Sequence, residues 1–290
     1  MNGSPVIDKQ GQPSSGGVSI IDKSQGLTSQ GGVLVIDKSQ GLTSQGGVLV
    51  IDKPQGWTSH DVVAHVKRKL KAKKVGHLGT LDPLATGVLV LVINGATKYS
   101  SQLDTGAKEY LTVARVGEET DTYDREGKVV ASSDIAAVTD GAVMSALETF
   151  RGRIRQVPPM YSAIKSGGTP LYKLARKGVT IEREAREVEV YSLDVLRVQL
   201  PVVEFKVCCS RGTYLRSICH DLGRLLGTGA HLQELRRTAS GDFSVDEAVL
   251  PGLGPEELSK RIVPLDEALE RAARASRKAV SGEQAGTSPE

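Results

Sequence analysis

The sequence predicts a mixed α/β (α+β) protein, and three stretches carry that prediction. Val88 to Ile93 is an unbroken apolar, β-branched run, as in a strand buried on both faces. Lys108 to Val116 alternates polar and apolar residues, as a half-buried strand does. His60 to Lys74 places Val62, Val63, Val66 and Leu70 on one face at helical spacing.

The chain has 290 residues, enough for an ample core in one large domain or two. A net charge of +3 does not by itself mark a nucleic-acid binder, so that case rests on where the cations cluster. Three cysteines without a Cys-x-x-Cys pair suit a reducing compartment. Cys208 and Cys209 are neighbours in a predicted strand and point to opposite faces, which argues against a zinc site with Cys219 and His220. No metal is expected. No apolar run approaches the ~18 residues of a membrane span. The first fifty residues hold no arginine and no charged segment leading into an apolar core, so no signal or transit peptide is expected. The expected location is the cytoplasm.

Residues 16–30, 31–45 and 46–60 are copies of one fifteen-residue unit, with a fragment of a fourth at Val6 to Lys9. A unit this short, without caps, reads as a tandem duplication rather than a solenoid. Only the last copy carries Pro54, Trp57 and His60 and runs on into the predicted helix. It reads as a short strand to Ile51, a Pro/Gly turn, and an N-cap at Thr58 or Ser59 with Asp61 in the first turn. Residues 1–45 are expected to be disordered, and deleting residues 1–44 is expected to leave catalysis intact.

Lys67, Arg68, Lys69, Lys71, Lys73 and Lys74 crowd the end of the helix. That is more charge than a helix dipole requires, and it suits phosphates. The next stretch, Gly76-His77-Leu78-Gly79-Thr80-Leu81-Asp82-Pro83-Leu84-Ala85-Thr86-Gly87-Val88-Leu89, sets one carboxylate in a turn of small residues. Pro83 restricts Asp82 to extended conformations.

This string resembles the catalytic loop G-H-x-G-T-L-D-P-x-A-x-G of the TruB-type tRNA pseudouridine synthases, and Lys53-Pro54-Gln55-Gly56-Trp57-Thr58-Ser59 resembles their K-P-x-G-x-T-S motif. The resemblance covers roughly residues 46–250, with its motifs in the family's order. It implies the pseudouridine synthase fold: a mixed, mainly antiparallel central sheet with flanking helices and a basic thumb insertion at about 160–187. It also implies the reaction, isomerisation of uridine to pseudouridine in the tRNA T loop (position 55), without a cofactor. Asp82 would be the nucleophile, attacking either C1′ or the uracil ring.

Further along, Lys98 to Leu103 reads as a short helix, and Thr120 to Gly127 as an acidic hairpin tip whose spacing does not match a calcium loop. Tyr110 lies in the alternating strand; by resemblance it stacks on the flipped base and handles a proton. Gly141 to Phe150 reads as an amphipathic helix, and Leu171 to Gly178 as a helix ended by glycine. Between them Gln156-Val157-Pro158-Pro159-Met160-Tyr161-Ser162-Ala163-Ile164-Lys165 matches a family motif. Lys165, Lys173 and Arg176 are the better RNA contacts there, with Lys177; Pro158, Pro159 and Tyr161 suit either contact or support.

Val202 to Cys209 reads as a strand leading to Ser210-Arg211-Gly212-Thr213-Tyr214-Leu215-Arg216-Ser217, with Thr213 as the N-cap of the next helix. By resemblance Arg216 pairs with Asp82 and Tyr214 lies under the flipped base. In Gly229 to Thr238, Leu235 would pack on the base site, with Arg236 and Arg237 as backbone or structural cations. His77 would hold the loop or the extruded base, and Lys53 joins the substrate-binding set. From Pro251 the sequence reads as a linker, a short helix and a polar tail, with no full PUA domain. A monomer is expected that grips the tRNA T arm without guide RNA. The alternative is a non-catalytic tRNA-binding or folding chaperone on the same scaffold. A nucleotide enzyme using the Gly-rich loop would need a G-K-[ST] signature, which is missing.

Overall fold

The computed structural model describes residues 46–281. The upstream repeat copies, and the last residues of the predicted tail, lie outside this range.

The third repeat copy forms strand β1 (Gly47–Lys53) and leads into helix α1 (Ser59–Lys69). Thr58 is the N-cap: its side chain accepts from the Asp61 amide, and the Asp61 carboxylate accepts from the Thr58 amide in return. The helix is shorter than its cation run. Lys71 takes a left-handed φ of 50°, and the Lys73 and Lys74 amides donate to Asn94 Oδ1 at 3.0 and 3.2 Å. The last cations therefore sit on a turn leading to β2 (Val75–Leu78).

Strand β3 (Thr86–Ile93) follows the Asp82 loop and pairs antiparallel with both β1 and β2. Both β1 and β3 are buried on two faces. Leu49, Ile51, Leu89, Leu91 and Ile93 enter the larger core; Val48, Val50, Val88, Val90 and Val92 enter a second one. A short 3₁₀ turn (Asn94–Tyr99) and helix α2 (Ser100–Leu103) connect to β4 (Lys108–Val116). Strands β5 (Glu118–Thr120) and β6 (Val129–Ser132) form a separate hairpin.

Helix α3 (Asp140–Glu148) and β7 (Gly152–Gln156) lead to a small hairpin, β8 (Lys165–Ser166) and β9 (Thr169–Pro170), and then to helix α4 (Leu171–Ala175). Gly178, at φ 73°, lies just beyond α4. Strands β10 (Arg186–Gln199) and β11 (Val202–Cys209), helix α5 (Leu215–Leu226) and strand β12 (Ala230–Ser240) complete the centre. Thr213 does not cap α5. Its hydroxyl donates to Ser210 O at 2.9 Å, and the cap position belongs to Tyr214, without a side-chain bond.

Beyond 250 the expected helix is present, but the described segment holds more regular structure than a linker, one short helix and a tail. After β13 (Phe243–Ser244), helix α6 (Pro255–Lys260) leads to β14 (Val263–Pro264), which pairs with β1. Helix α7 (Leu265–Ser281) then buries Ala268, Ala272 and Ala275. Alanine at helical spacing contributes little hydrophobicity, so the sequence there reads as polar. The main sheet runs β14-β1-β3-β12-β4-β11-β10-β7, with β2 on β3 and β13 on β12. Its strand pairs are antiparallel except β12 with β3.

Candidate active site

The parallel β12–β3 contact places the Asp82 loop at the centre of the sheet, where Arg236 and Arg237 lie against Thr86 and Gly87. Gly87 has φ 96°, and a Cβ there would stand 2.2 Å from Arg237 O, so only glycine lets the two chains meet. The loop is tied down elsewhere too. Ser59 Oγ accepts from the Leu81 amide at 2.9 Å and donates to Leu81 O at 3.1 Å. Pro83 O accepts from the Gly56 amide at 2.9 Å.

Lys53 has a different job from the one the sequence suggested. It has no exposed surface, and its Nζ donates to the carbonyls of Pro54, Trp57 and Pro83. It thus pins the K-P-x-G turn to the Asp82 loop and has no free donor face for substrate. Burial pushes its pKa down to about 8, against the pull of Asp82 and Glu126.

Arg216, near the start of α5, grips Asp82 with two prongs: Nε donates to Oδ2 at 2.9 Å and Nη2 to Oδ1 at 3.2 Å. The arginine side chain is 3% exposed and the aspartate 34%, so the cation is enclosed while the carboxylate keeps an open side. Two further donors go to Thr122 O at 3.3 Å and Tyr161 O at 2.8 Å. Asp124 Oδ2 lies 3.8 Å from Arg216 Nε. Asp124 is buried, held by the Thr122 hydroxyl and the Glu126 amide, and its pKa is raised by that burial. Reading the acidic tip as a plain turn missed this residue. The left-handed Tyr123 beside it, at φ 65°, belongs to folded geometry and has no signature in composition.

Tyr110 is 8% exposed on β4, between Val207 of β11 and Arg237 of β12. Burial raises the pKa of its phenol, and the Arg237 charge pulls it back. Tyr214 stands at the entry to α5, with a guanidinium–ring distance of 6.0 Å to Arg216, and burial raises its pKa as well. The backbone of Tyr214 is bracketed by the Gln156 amide, which donates to its O at 3.1 Å and accepts from its N at 2.8 Å. Pro158, Pro159 and Met160 are buried, so this segment supports α5. Leu235, 8% exposed, belongs to the same apolar cluster as Leu81 and Tyr110.

His77, half-buried on β2, has its pKa lowered by burial and then by Arg237. Arg236 closes a two-pronged pair with Asp52 at 3.1 and 2.7 Å. Lys165, Lys173 and Arg176 are exposed, well away in sequence from the Asp82 loop, on the β8–β9 hairpin and at α4. Among the described residues, no three His, Cys, Asp or Glu side chains gather as a metal site would require. No described helix is long and apolar enough to cross a membrane.

Fold and site define an enzyme of the pseudouridine synthase class, built around a carboxylate paired to a buried arginine. Residues 67–215 match the family model "TruB family pseudouridylate synthase (N terminal domain)", and residues 216–270 match "tRNA pseudouridylate synthase B C-terminal domain". The chain belongs to the TruB family. It is 47% identical over 212 residues to tRNA pseudouridine synthase B of Clostridium tetani, covering 73% of each chain. It is 51% identical over 190 residues to the protein of that name in Geobacter sulfurreducens, covering 66% of this chain and 62% of the relative. Among solved structures it is similar to a chain of a Cbf5-Nop10-Gar1 complex, with a TM-score of 0.60 and 34% identity. That match covers 78% of this chain and 62% of the other, under two thirds of its length.

Proposed function

We propose that the chain isomerises uridine to pseudouridine in the T loop of tRNA. The observation that carries the reading is the two-pronged Arg216–Asp82 pair, its arginine enclosed and its carboxylate partly exposed, with Tyr110 near enough to feel the Asp82 charge. The reaction breaks C1′–N1 and forms C1′–C5; the C5 proton leaves and N1 gains one, so no redox partner is needed. Asp82 is the nucleophile, and Arg216 holds it in place and balances its charge. Tyr110 gives the flipped base a ring face, and its hydroxyl is the group that handles the proton moving off C5. Tyr214, Leu235 and His77 line the space for the base. The exposed Lys165, Lys173 and Arg176 of the thumb, about 160–187, meet the T-arm phosphates.

In this reading residues 46–250 carry the catalytic residues, with β14 and α7 completing the same fold, and the protein works in the cytoplasm as a monomer without guide RNA. The match to two TruB family models supports that over a guide-dependent assembly. The intact Asp82–Arg216 pair speaks against a chaperone alone, which needs no nucleophile. The test is to incubate the protein with an unmodified tRNA transcript and map pseudouridine, beside Asp82→Asn. Product from wild type and none from the variant supports the reading; equal product from both removes Asp82 from it.

A further inference from the structure

Among the described residues Arg237 is the largest fully buried side chain, at 1% exposure, and the proposed reaction leaves it without a role. Its Nε donates to Val88 O at 2.7 Å and its Nη2 to Gly79 O at 3.0 Å. Those carbonyls flank the Asp82 loop, one before it and one after it. A single rigid guanidinium therefore spans the base of the loop. Gly79 fits this arrangement: it has φ 73°, and a Cβ there would stand 3.3 Å from Arg237 Nη1.

The same residue lies directly opposite Tyr110 in the antiparallel β12–β4 pair. Residues facing one another in such a pair project their side chains from the same face of the sheet, with Cβ atoms about 5 Å apart. The Arg237 charge also acts on the Tyr110 phenol, against the effect of burial. The other charged or titratable groups around that phenol are Cys209 of β11 and Asp82. One buried cation thus touches the frame of the nucleophile loop and neighbours the tyrosine on a different strand.

We propose that Arg237 is a positioning residue for the reaction, fixing the Asp82 loop and the Tyr110 hydroxyl relative to each other. This rests on the function proposed above. A buried arginine with a purely structural role would affect melting and leave the rate per folded molecule alone. A positioning arginine affects the chemical step, because a displacement of about 1 Å between reacting groups costs on the order of 10²-fold.

The experiment compares wild type, Arg237→Lys, Arg237→Gln, Tyr110→Phe and the Tyr110→Phe/Arg237→Lys double variant on one tRNA transcript. Single-turnover pseudouridine formation, tRNA affinity and melting are measured, with assays run well below each melting midpoint. The expected result is a cooperatively folded Arg237→Lys protein that binds tRNA within about threefold of wild type and reacts roughly 10- to 100-fold more slowly. Arg237→Gln is slower still, and the double variant loses less than the product of the two single losses. An unchanged rate in folded variants, losses that only track tRNA affinity, or multiplicative losses in the double variant would each overturn the inference. So would failure of both Arg237 variants to fold, since the residue would then serve folding rather than rate. Absence of product from wild type would instead overturn the proposed function beneath it.

Discussion

Arg216 holds both oxygens of Asp82, at 2.9 and 3.2 Å, while also donating to two backbone carbonyls from separate segments. The geometry needs a planar fork, which an ammonium cannot reproduce. Arg216→Lys should keep the charge and lose the two-pronged hold, slowing single-turnover pseudouridine formation by about 10²-fold with tRNA affinity changed only a few-fold. Arg216→Ala is the poorer probe. It strands two carbonyls and leaves buried Asp124 without its cation, which costs about 3–5 kcal/mol of stability. A rate for Arg216→Lys near that of wild type would show that charge alone suffices.

Tyr110 combines a ring and a hydroxyl, and the two can be separated. Tyr110→Phe keeps the ring face, so tRNA affinity should stay close to wild type while the chemical step slows sharply but stays measurable. Tyr110→Ala should also weaken binding, by the roughly 1–3 kcal/mol of a base stack. Equilibrium binding and single-turnover rates on the same tRNA separate the two losses. If the phenylalanine variant turned over at the wild-type rate, the proton would have to be handled elsewhere.

The burial of Lys53 makes a statement about stability and pH. Its pKa is about 8 in the folded protein and 10.5 ordinarily, so between those values the unfolded chain holds a proton that the folded chain has released. Stability from this group therefore rises with pH across that window and is flat on either side. Lys53→Met removes the three carbonyl contacts and also removes that slope. The melting-temperature gap between wild type and Lys53→Met should widen from pH 8 towards pH 10.5. A constant gap would mean that the amine titrates alike in both states.

Strands such as β3 and β4 could be read directly, because burial on one or two faces writes a period into the side chains. Asp82 and Arg216, 134 residues apart, could be paired only through the resemblance, since spacing alone says nothing about contact across a sheet. Other features were hidden for physical reasons. Helix α7 packs with alanines, which barely register as apolar. Lys53 is a cation in the core, where composition would not place it, and Arg237, read as a backbone or structural cation, is buried as well. Their burial is tolerated because backbone carbonyls accept from them, a pattern that exists only once the chain has folded.

Surface cations divide by what they already hold. Lys69 Nζ donates to the carbonyls of Pro251, Gly252 and Leu253, so it belongs to the fold although it sits in the basic run. Lys173 and Arg176 are exposed at α4, and the Arg176 guanidinium lies 5.5 Å from the Tyr172 ring centre, which leaves its donors free for phosphate. Lys173→Ala and Arg176→Ala should each weaken tRNA binding and lower the slope of log affinity against log salt by about 1. Melting should be nearly unchanged in both. Lys69→Ala should do the reverse, lowering the melting temperature with little change in the salt slope. Salt titrations of the three variants decide it: a slope that falls for Lys69 and not for the thumb residues would move the RNA path from the thumb to the end of α1.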